Sequence, residues 1–187
     1  ANDTIVLLKN EDGLLPIRRD KVKSILVVGP NAFRRQLGGY SAGQTPIVDT
    51  PVNVMALDGI RKEAGDDMEV LFEKGWTTDE ERGAKGIEDI LPGFDPEEIL
   101  MDISPEMMAG FMGEKPPKRH VPEDPDLNAD DDMLIARAVE AAKKVDMVVV
   151  VAGTDASNAS EEHDRDTLDL PYGQDEKIQK IIEANPN

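Results

Sequence analysis

Two unbroken apolar runs stand out along the chain, Ser-Ile-Leu-Val-Val-Gly at residues 24–29 and Met-Val-Val-Val-Val-Ala-Gly at residues 147–153. A strand with one wet face alternates apolar and polar residues, so unbroken runs that stop at glycine read as strands covered on both faces, the mark of a parallel sheet. The first is expected to be a central strand, and the second carries the clearest signal in the chain for a buried one. Between them the apolar positions switch to helical spacing. Val52, Met55, Ala56 and Ile60 predict a helix over 52–63 that Gly65 closes, and residues 68–72 predict an edge-like strand. Leu134, Ala138, Ala141, Ala142 and Val145 predict a second helix, with Asp130, Asp131 and Asp132 at the end where a helix dipole favours negative charge. A third is predicted over 173–184, with Ile178, Ile181 and Ile182 facing inward. Strands alternating with helices imply an α/β fold, a largely parallel sheet flanked by helices on both faces. Residues 185–187 follow a helix and precede the strand it should deliver. The sheet is therefore expected to be completed by polypeptide outside this sequence, and residue 1, with no leader-like segment after it, reads as an internal cut.

One stretch breaks the pattern. Residues 80–132 hold 16 acids against 5 bases, seven of the thirteen prolines and four of the eight methionines, with few β-branched residues. This composition reads as an acidic insertion into one 1–187 domain. Asp95-Pro96-Glu97-Glu98 and Ser104-Pro105-Glu106 each place a capping residue before a proline at the first helical position, so two short helices are expected inside it. Met107, Met108, Phe111 and Met112 would form an apolar face there, which either tacks the insertion to its host or serves as a lid or docking face.

Charge narrows the partners. With 21 Lys and Arg against 39 Asp and Glu the formal net charge is −18 over 187 residues, and such a chain repels nucleic-acid phosphates and anionic lipid surfaces. No apolar run approaches the ~20 residues of a membrane-spanning helix. The lack of cysteine removes disulfides, thiolate zinc sites and cysteine nucleophiles, and leaves the compartment open. The two histidines, His120 and His163, have no metal-ligand spacing, so neither a metal nor a cofactor is expected.

Ligands of such sheets bind beyond the carboxyl ends of the strands, which directs attention to the loops after Gly29 and Gly153. The first, through Gly38-Gly39-Tyr40, matches neither G-x-G-x-x-G nor G-x-x-x-x-G-K-[ST]. Its glycines suit a tight turn, and Tyr40 either stacks on a sugar or packs at a domain seam. The second loop gathers Asp155, Glu161, Glu162, His163, Asp164, Arg165, Asp166 and Asp169. Such crowding raises a carboxyl pKa by like-charge repulsion, as a general acid near neutral pH requires, while Arg165 opposes the shift and fixes a neighbouring carboxylate. A solvated acidic loop with a capping role is the competing reading.

Several strings resemble the second, α/β-sandwich domain of family 3 glycoside hydrolases, the β-glucosidases and β-xylosidases. Ile5 to Ile17 (IVLLKNEDGLLPI) is similar to the family's LLKN-xx-G-xLPL opening. Val27 to Ala32, Leu37 to Ser41, and Ala138 to Asp146 with its valine-rich strand match as well, and Glu161 to Pro171, continuing to Gln174, resembles E-G-x-D-R-xx-L-x-LP-xx-Q. Only residues 80–132 fall outside the resemblance. It implies retaining cleavage of β-linked glycosides, by an Asp nucleophile on a separate (β/α)8 barrel and an acid/base Glu on this domain. Position by position, the acid/base falls on Glu161, with Glu162 in reserve because it stands where the family has Gly. Asp155 and Tyr40 would bind substrate, Asp155 and Glu162 would help Glu161 keep its proton, and Asp164 with Arg165 would form a structural pair shaping the loop. His163 is expected to pack at the surface. The implied partners are a β-glycoside and the barrel of the same enzyme, and the isolated chain is expected to be inactive. The alternative is a non-catalytic carbohydrate- or protein-binding module on the same fold.

Overall fold

The computed structural model describes residues 5–34, 54–78, 126, 129–155, 158 and 165–187. Within them the elements run β1 (Ser24–Val28), α1 (Ala56–Ala64), β2 (Glu69–Glu73), α2 (Asp131–Ala142), β3 (Met147–Val150) and α3 (Gln174–Ala184). The strands form one parallel sheet in the order β2-β1-β3, with Leu26 of β1 in register with Leu71 on one side and Val148 on the other. The expected α/β sandwich is present, and β1 is its central strand.

Alternation along β1 separates two cores. Ile25 and Val27 point to the side of Leu57 and Ala64 on α1, together with Met68 and Met147. Leu26 and Val28 point the other way, into Trp76, Ile135, Ala138 and Ala142, and Ile181 of α3. Each fully buried Leu or Val contributes about 1.5–3 kcal/mol over its exposed state, so a continuous apolar β1 is the cheapest way to supply both layers.

Three details depart from the periodicity. In β3, Met147 is buried but Val148, Val149 and Val150 are only half-buried, because β3 is an outer strand of the described sheet. On its far side the Val148 N–H donates to the Asn187 carbonyl at 3.0 Å, so the chain after α3 turns back along β3. Helix α1 begins at Ala56 with Met55 as N-cap, and its inward side is Leu57, Ile60 and Ala64 while Ala56 is exposed. Ile182 is 49 % exposed, since Ile181 sits at the centre of the buried stripe and its neighbour lies a hundred degrees round the helix. Val52, the two short helices expected after Asp95 and Ser104, and the Met107–Met112 face lie outside the described residues. Of the acidic stretch, Asp131 and Asp132 form the first turn of α2, and the Asp130 carboxylate caps it from the Asp132 N–H at 2.7 Å.

The amino ends of the strands are closed by side chains that answer main-chain groups. The Asp146 carboxylate accepts from the N–H groups of Lys23 (2.7 Å) and Ser24 (2.9 Å) and from the Ser24 hydroxyl (3.1 Å). These bonds hold its pKa below the ordinary carboxylate value. Asn185 donates to the carbonyls of Ala142 and Val145, both at 2.9 Å, and Arg19 donates to those of Ala64 (3.2 Å) and Glu63. The last carbonyls of α2 and α1 are thereby satisfied.

Candidate functional site

From β1 the chain crosses to β2 on one side, whereas from β3 it passes through α3 towards the opposite edge. The loops leaving β1 and β3 therefore diverge, and the crevice between them is the place where open α/β sheets bind ligands.

Its floor is set by close backbone approach. Gly29 has φ of +122°, and a Cβ there would stand 2.3 Å from the Val151 carbonyl oxygen and 3.4 Å from the Trp76 ring. Only glycine fits. The Gly29 N–H donates to the Glu73 carbonyl at 3.3 Å, and the Val151 N–H to that of Val28 at 2.8 Å, so the three strand ends are tied together. Above them the Asn31 amide reaches the Thr154 carbonyl at 3.5 Å, joining the two diverging loops.

The wall is supplied by the entry to α3. The buried Gln174 side chain accepts from the Gly153 N–H at 2.9 Å and donates to the Gly153 carbonyl at 2.8 Å, gripping both polar groups of one residue. Two residues earlier, Tyr172 adopts φ of +64°, which a side-chain-bearing residue seldom tolerates. Its hydroxyl lies 2.9 and 2.8 Å from the two carboxylate oxygens of Asp155, and the Asn158 amide donates to it at 2.6 Å. Asn158 also donates to Asp155 at 3.1 Å and accepts from the Asp155 N–H at 3.2 Å. Asp155 is 4 % exposed, and its carboxylate sits inside this polar knot.

The knot continues beneath α3. Lys177 donates to the Tyr172 carbonyl at 2.5 Å and to Asp131 at 3.0 Å, and the other oxygen of Asp131 accepts from the Thr77 N–H (2.9 Å) and hydroxyl (2.8 Å). Burial raises the Asp131 pKa, but the two bonds from Thr77 and the Lys177 ammonium outweigh it, and the net position is below the ordinary value. Nearby, Arg137 spans Glu73 (2.7 Å) and Asp126 (2.9 Å), which push its own pKa upward, Asp126 most. Lys74, Trp76, Thr77 and Thr78 follow β2 into the interior, so the chain leaving β2 is buried before it departs.

Of the residues singled out by sequence, Asp155 lies in the knot. Arg165 is exposed and donates to the Asp169 carbonyl, a main-chain oxygen in its own loop. Tyr40, Glu161, Glu162, His163 and Asp164 lie outside the described residues, and with them the expected raised carboxyl pKa and the Asp164–Arg165 pair. Sequence reasoning passed over Tyr172, Lys177 and the Thr77–Asp131 contact, whose partners lie far away along the chain. Trp76, the chain's single tryptophan, stands four residues beyond the predicted strand end at Phe72 and is the one available signal for a buried aromatic at this edge.

Comparison with known proteins places this geometry in a family. Residues 5–187 match the family described as glycosyl hydrolase family 3 C-terminal domain. The chain is 29 % identical over 190 residues to a beta-xylosidase of Formosa agariphila, covering 97 % of this chain and 18 % of that one. It is 30 % identical over 180 residues to a periplasmic beta-glucosidase of Salmonella typhimurium, covering 95 % and 19 %. A solved β-glucosidase from Erythrobacter marinus superposes with a TM-score of 0.58 at 30 % identity, covering 96 % and 20 %. The chain spans about a fifth of the length of the curated relatives it matches.

Proposed function

The chain belongs to the C-terminal domain family of glycosyl hydrolase family 3, and from that premise we propose that it is part of a retaining β-glycosidase that hydrolyses terminal β-linked sugars. This domain carries the general acid/base, Glu161 with Glu162 in reserve, on the loop after β3. The nucleophilic Asp stands on a (β/α)8 barrel elsewhere in the same protein. Protonated, Glu161 donates to the glycosidic oxygen as the nucleophile attacks the anomeric carbon; as a carboxylate, it then takes a proton from the water that hydrolyses the glycosyl-enzyme. Tyr40 and Asp155 belong to the substrate side of the site, Asp155 through the polar knot that shapes the loop.

The observation that carries this reading is the placement of the loop. It leaves the sheet at the crevice between β1 and β3, anchored at Gly153 by Gln174 and at Asp155 by Tyr172. Relatives named as β-glucosidase and β-xylosidase support the reaction class. Ile5, Val6, Leu7 and Leu8 are exposed apolar residues in succession, which suits a segment covered by another part of the protein.

Retaining cleavage needs two carboxyl groups about 5–5.5 Å apart, so the test belongs in the full-length protein. Glu161→Gln is expected to lower kcat/KM on unactivated disaccharides by about 10²–10⁴-fold. Aryl glycosides with strongly acidic leaving groups, which depart without protonation, should be nearly spared. Equal losses on both substrates reject Glu161 as the acid, and the selective pattern appearing at Glu162→Gln instead moves the role by one residue.

A further inference from the structure

The polar knot has an asymmetry that bears on what Tyr172 does. Residues 171–174 hold the loop after β3 at two points: Gln174 grips the main chain of Gly153, and the Tyr172 hydroxyl meets both carboxylate oxygens of Asp155. The first grip belongs to the scaffold, since it satisfies groups at the end of a strand. The second fixes a side chain inside the loop, and Tyr172 makes it from a backbone conformation with φ of +64°. A non-glycine residue is held there only when its surroundings over-determine it, and such strain collects at functional sites. Here the determinants are visible. Gly153's clamp follows two residues later, Lys177 draws the Tyr172 carbonyl in at 2.5 Å, and Asp131 with Thr77 holds Lys177 from the other side. The strain is thus supported by a chain of contacts reaching from the exit of β2 to the loop after β3.

We propose that Tyr172 is a positioning residue for glycoside cleavage: its hydroxyl, acting on Asp155 and Asn158, sets the bearing of the loop that follows and thereby the aim of the proton donor on it. The step from loop to proton donor rests on the function proposed above. The hydroxyl does not itself touch substrate. It closes a ring with Asp155 and Asn158, in which Asn158 donates to both of the other members and accepts from the Asp155 N–H, so each of the three side chains is held by the other two. Removing one hydroxyl leaves the aromatic ring and its packing intact but takes the Tyr172 bonds away from the carboxylate, which keeps the one from Asn158. A misplacement of about 1 Å at the reacting centre is enough to lower a rate by 10²-fold.

The experiment uses the full-length protein and a series of aryl β-glucosides and β-xylosides graded by leaving-group pKa, with a disaccharide at the unactivated end. For Tyr172→Phe the expected result is a graded loss in kcat. It should be within about twofold for the most acidic leaving groups and rise to about 10–100-fold for the disaccharide, with KM little changed and the thermal midpoint within a few degrees of the parent. A loss equal across the series overturns the proposal, whatever Glu161 does, because a merely structural hydroxyl gives that pattern. Should Tyr172→Phe fail to fold, Asn158→Ala, which opens the same ring at its third member, is read on the same series with the same two outcomes. Combining Tyr172→Phe with Glu161→Gln is expected to give little loss beyond Glu161→Gln alone on the disaccharide. Multiplicative losses overturn the link between the two residues. A flat profile for Glu161→Gln beside a graded one for Tyr172→Phe rejects the acid assigned above and leaves the clamp standing, acting through another acid of the loop.

Discussion

At the amino edge of the sheet, Asp146, Asn185 and Arg19 answer main-chain groups at the ends of strands and helices. At the carboxyl edge, Tyr172, Asp155, Asn158, Lys177 and Asp131 answer mostly one another, and one backbone pair approaches so closely that no side chain fits between. Both edges stop the same three strands and both use contacts distant in sequence. The difference lies in what is being held. The amino edge satisfies groups that the secondary structure leaves open, and any arrangement that satisfies them serves. The carboxyl edge holds side chains and a strained backbone in one arrangement, which stability alone does not require. A loop with a task at one end of the sheet and a closed scaffold at the other is the expected division of an open α/β fold.

The contrast can be broken most severely at Gly29. Gly29→Ala sets a methyl group against the Val151 carbonyl at an unfavourable φ, and roughly 3–5 kcal/mol of stability should be lost in urea unfolding. At the other edge Gly65 also has positive φ, +63°, but a Cβ there meets nothing within 4 Å. With ψ of −152° Gly65 lies in a region that glycine alone adopts readily, so Gly65→Ala should cost about 1–3 kcal/mol, the backbone strain without the clash. Similar losses at both positions would mean that close approach is not what distinguishes the carboxyl edge.

A middle-sized effect sharpens the comparison further. Gln174→Ala removes the partner of the N–H and carbonyl of Gly153, and Asn185→Ala that of the last carbonyl of α2 and of the Val145 carbonyl in the turn after it, so each should cost roughly 1–3 kcal/mol. Only the first is expected to lower kcat/KM of the full-length protein. Equal activity in the two variants would erase the functional half of the contrast.

The smallest effect is one of pH. Asp146 has its pKa lowered by the Lys23 and Ser24 bonds, so its contribution is complete above the ordinary carboxylate pKa. It disappears as the pH falls through the lowered native value. Asp131 follows the same sign, its lowering set by Thr77 and Lys177 against the opposing effect of burial. Replacing Asp146 by Asn should lower the neutral plateau of the stability profile and leave the low-pH end where it was, so that the acid limb below about pH 4 flattens. An unchanged acid limb would remove Asp146 from the groups that tie the amino edge.

Much of this fold was legible in the sequence because its signals are local. An apolar run stopped by Gly29, a stripe through Leu134 and Ala138, and an aspartate run before α2 each state a local preference that the tertiary structure had no reason to override. Val148 to Val150 misled for a physical reason: apolar composition reports which residues can be buried on both faces, whereas strand order decides which are, and β3 lies at the outside of the described sheet. The family motif led to the loop after β3, yet Tyr172 looked like an ordinary residue between Pro171 and Gly173.

The sequence by itself determined the alternation of elements, the two-faced burial of β1 and the loop in which chemistry is sought, because these follow from periodicity within a few residues. The tertiary structure alone decided that Thr77, Asp131, Lys177, Tyr172 and Asp155 share one network, and that Gly29 lies against Val151. Those residues are brought together only when parallel strands, whose partners are never adjacent in the chain, are laid side by side.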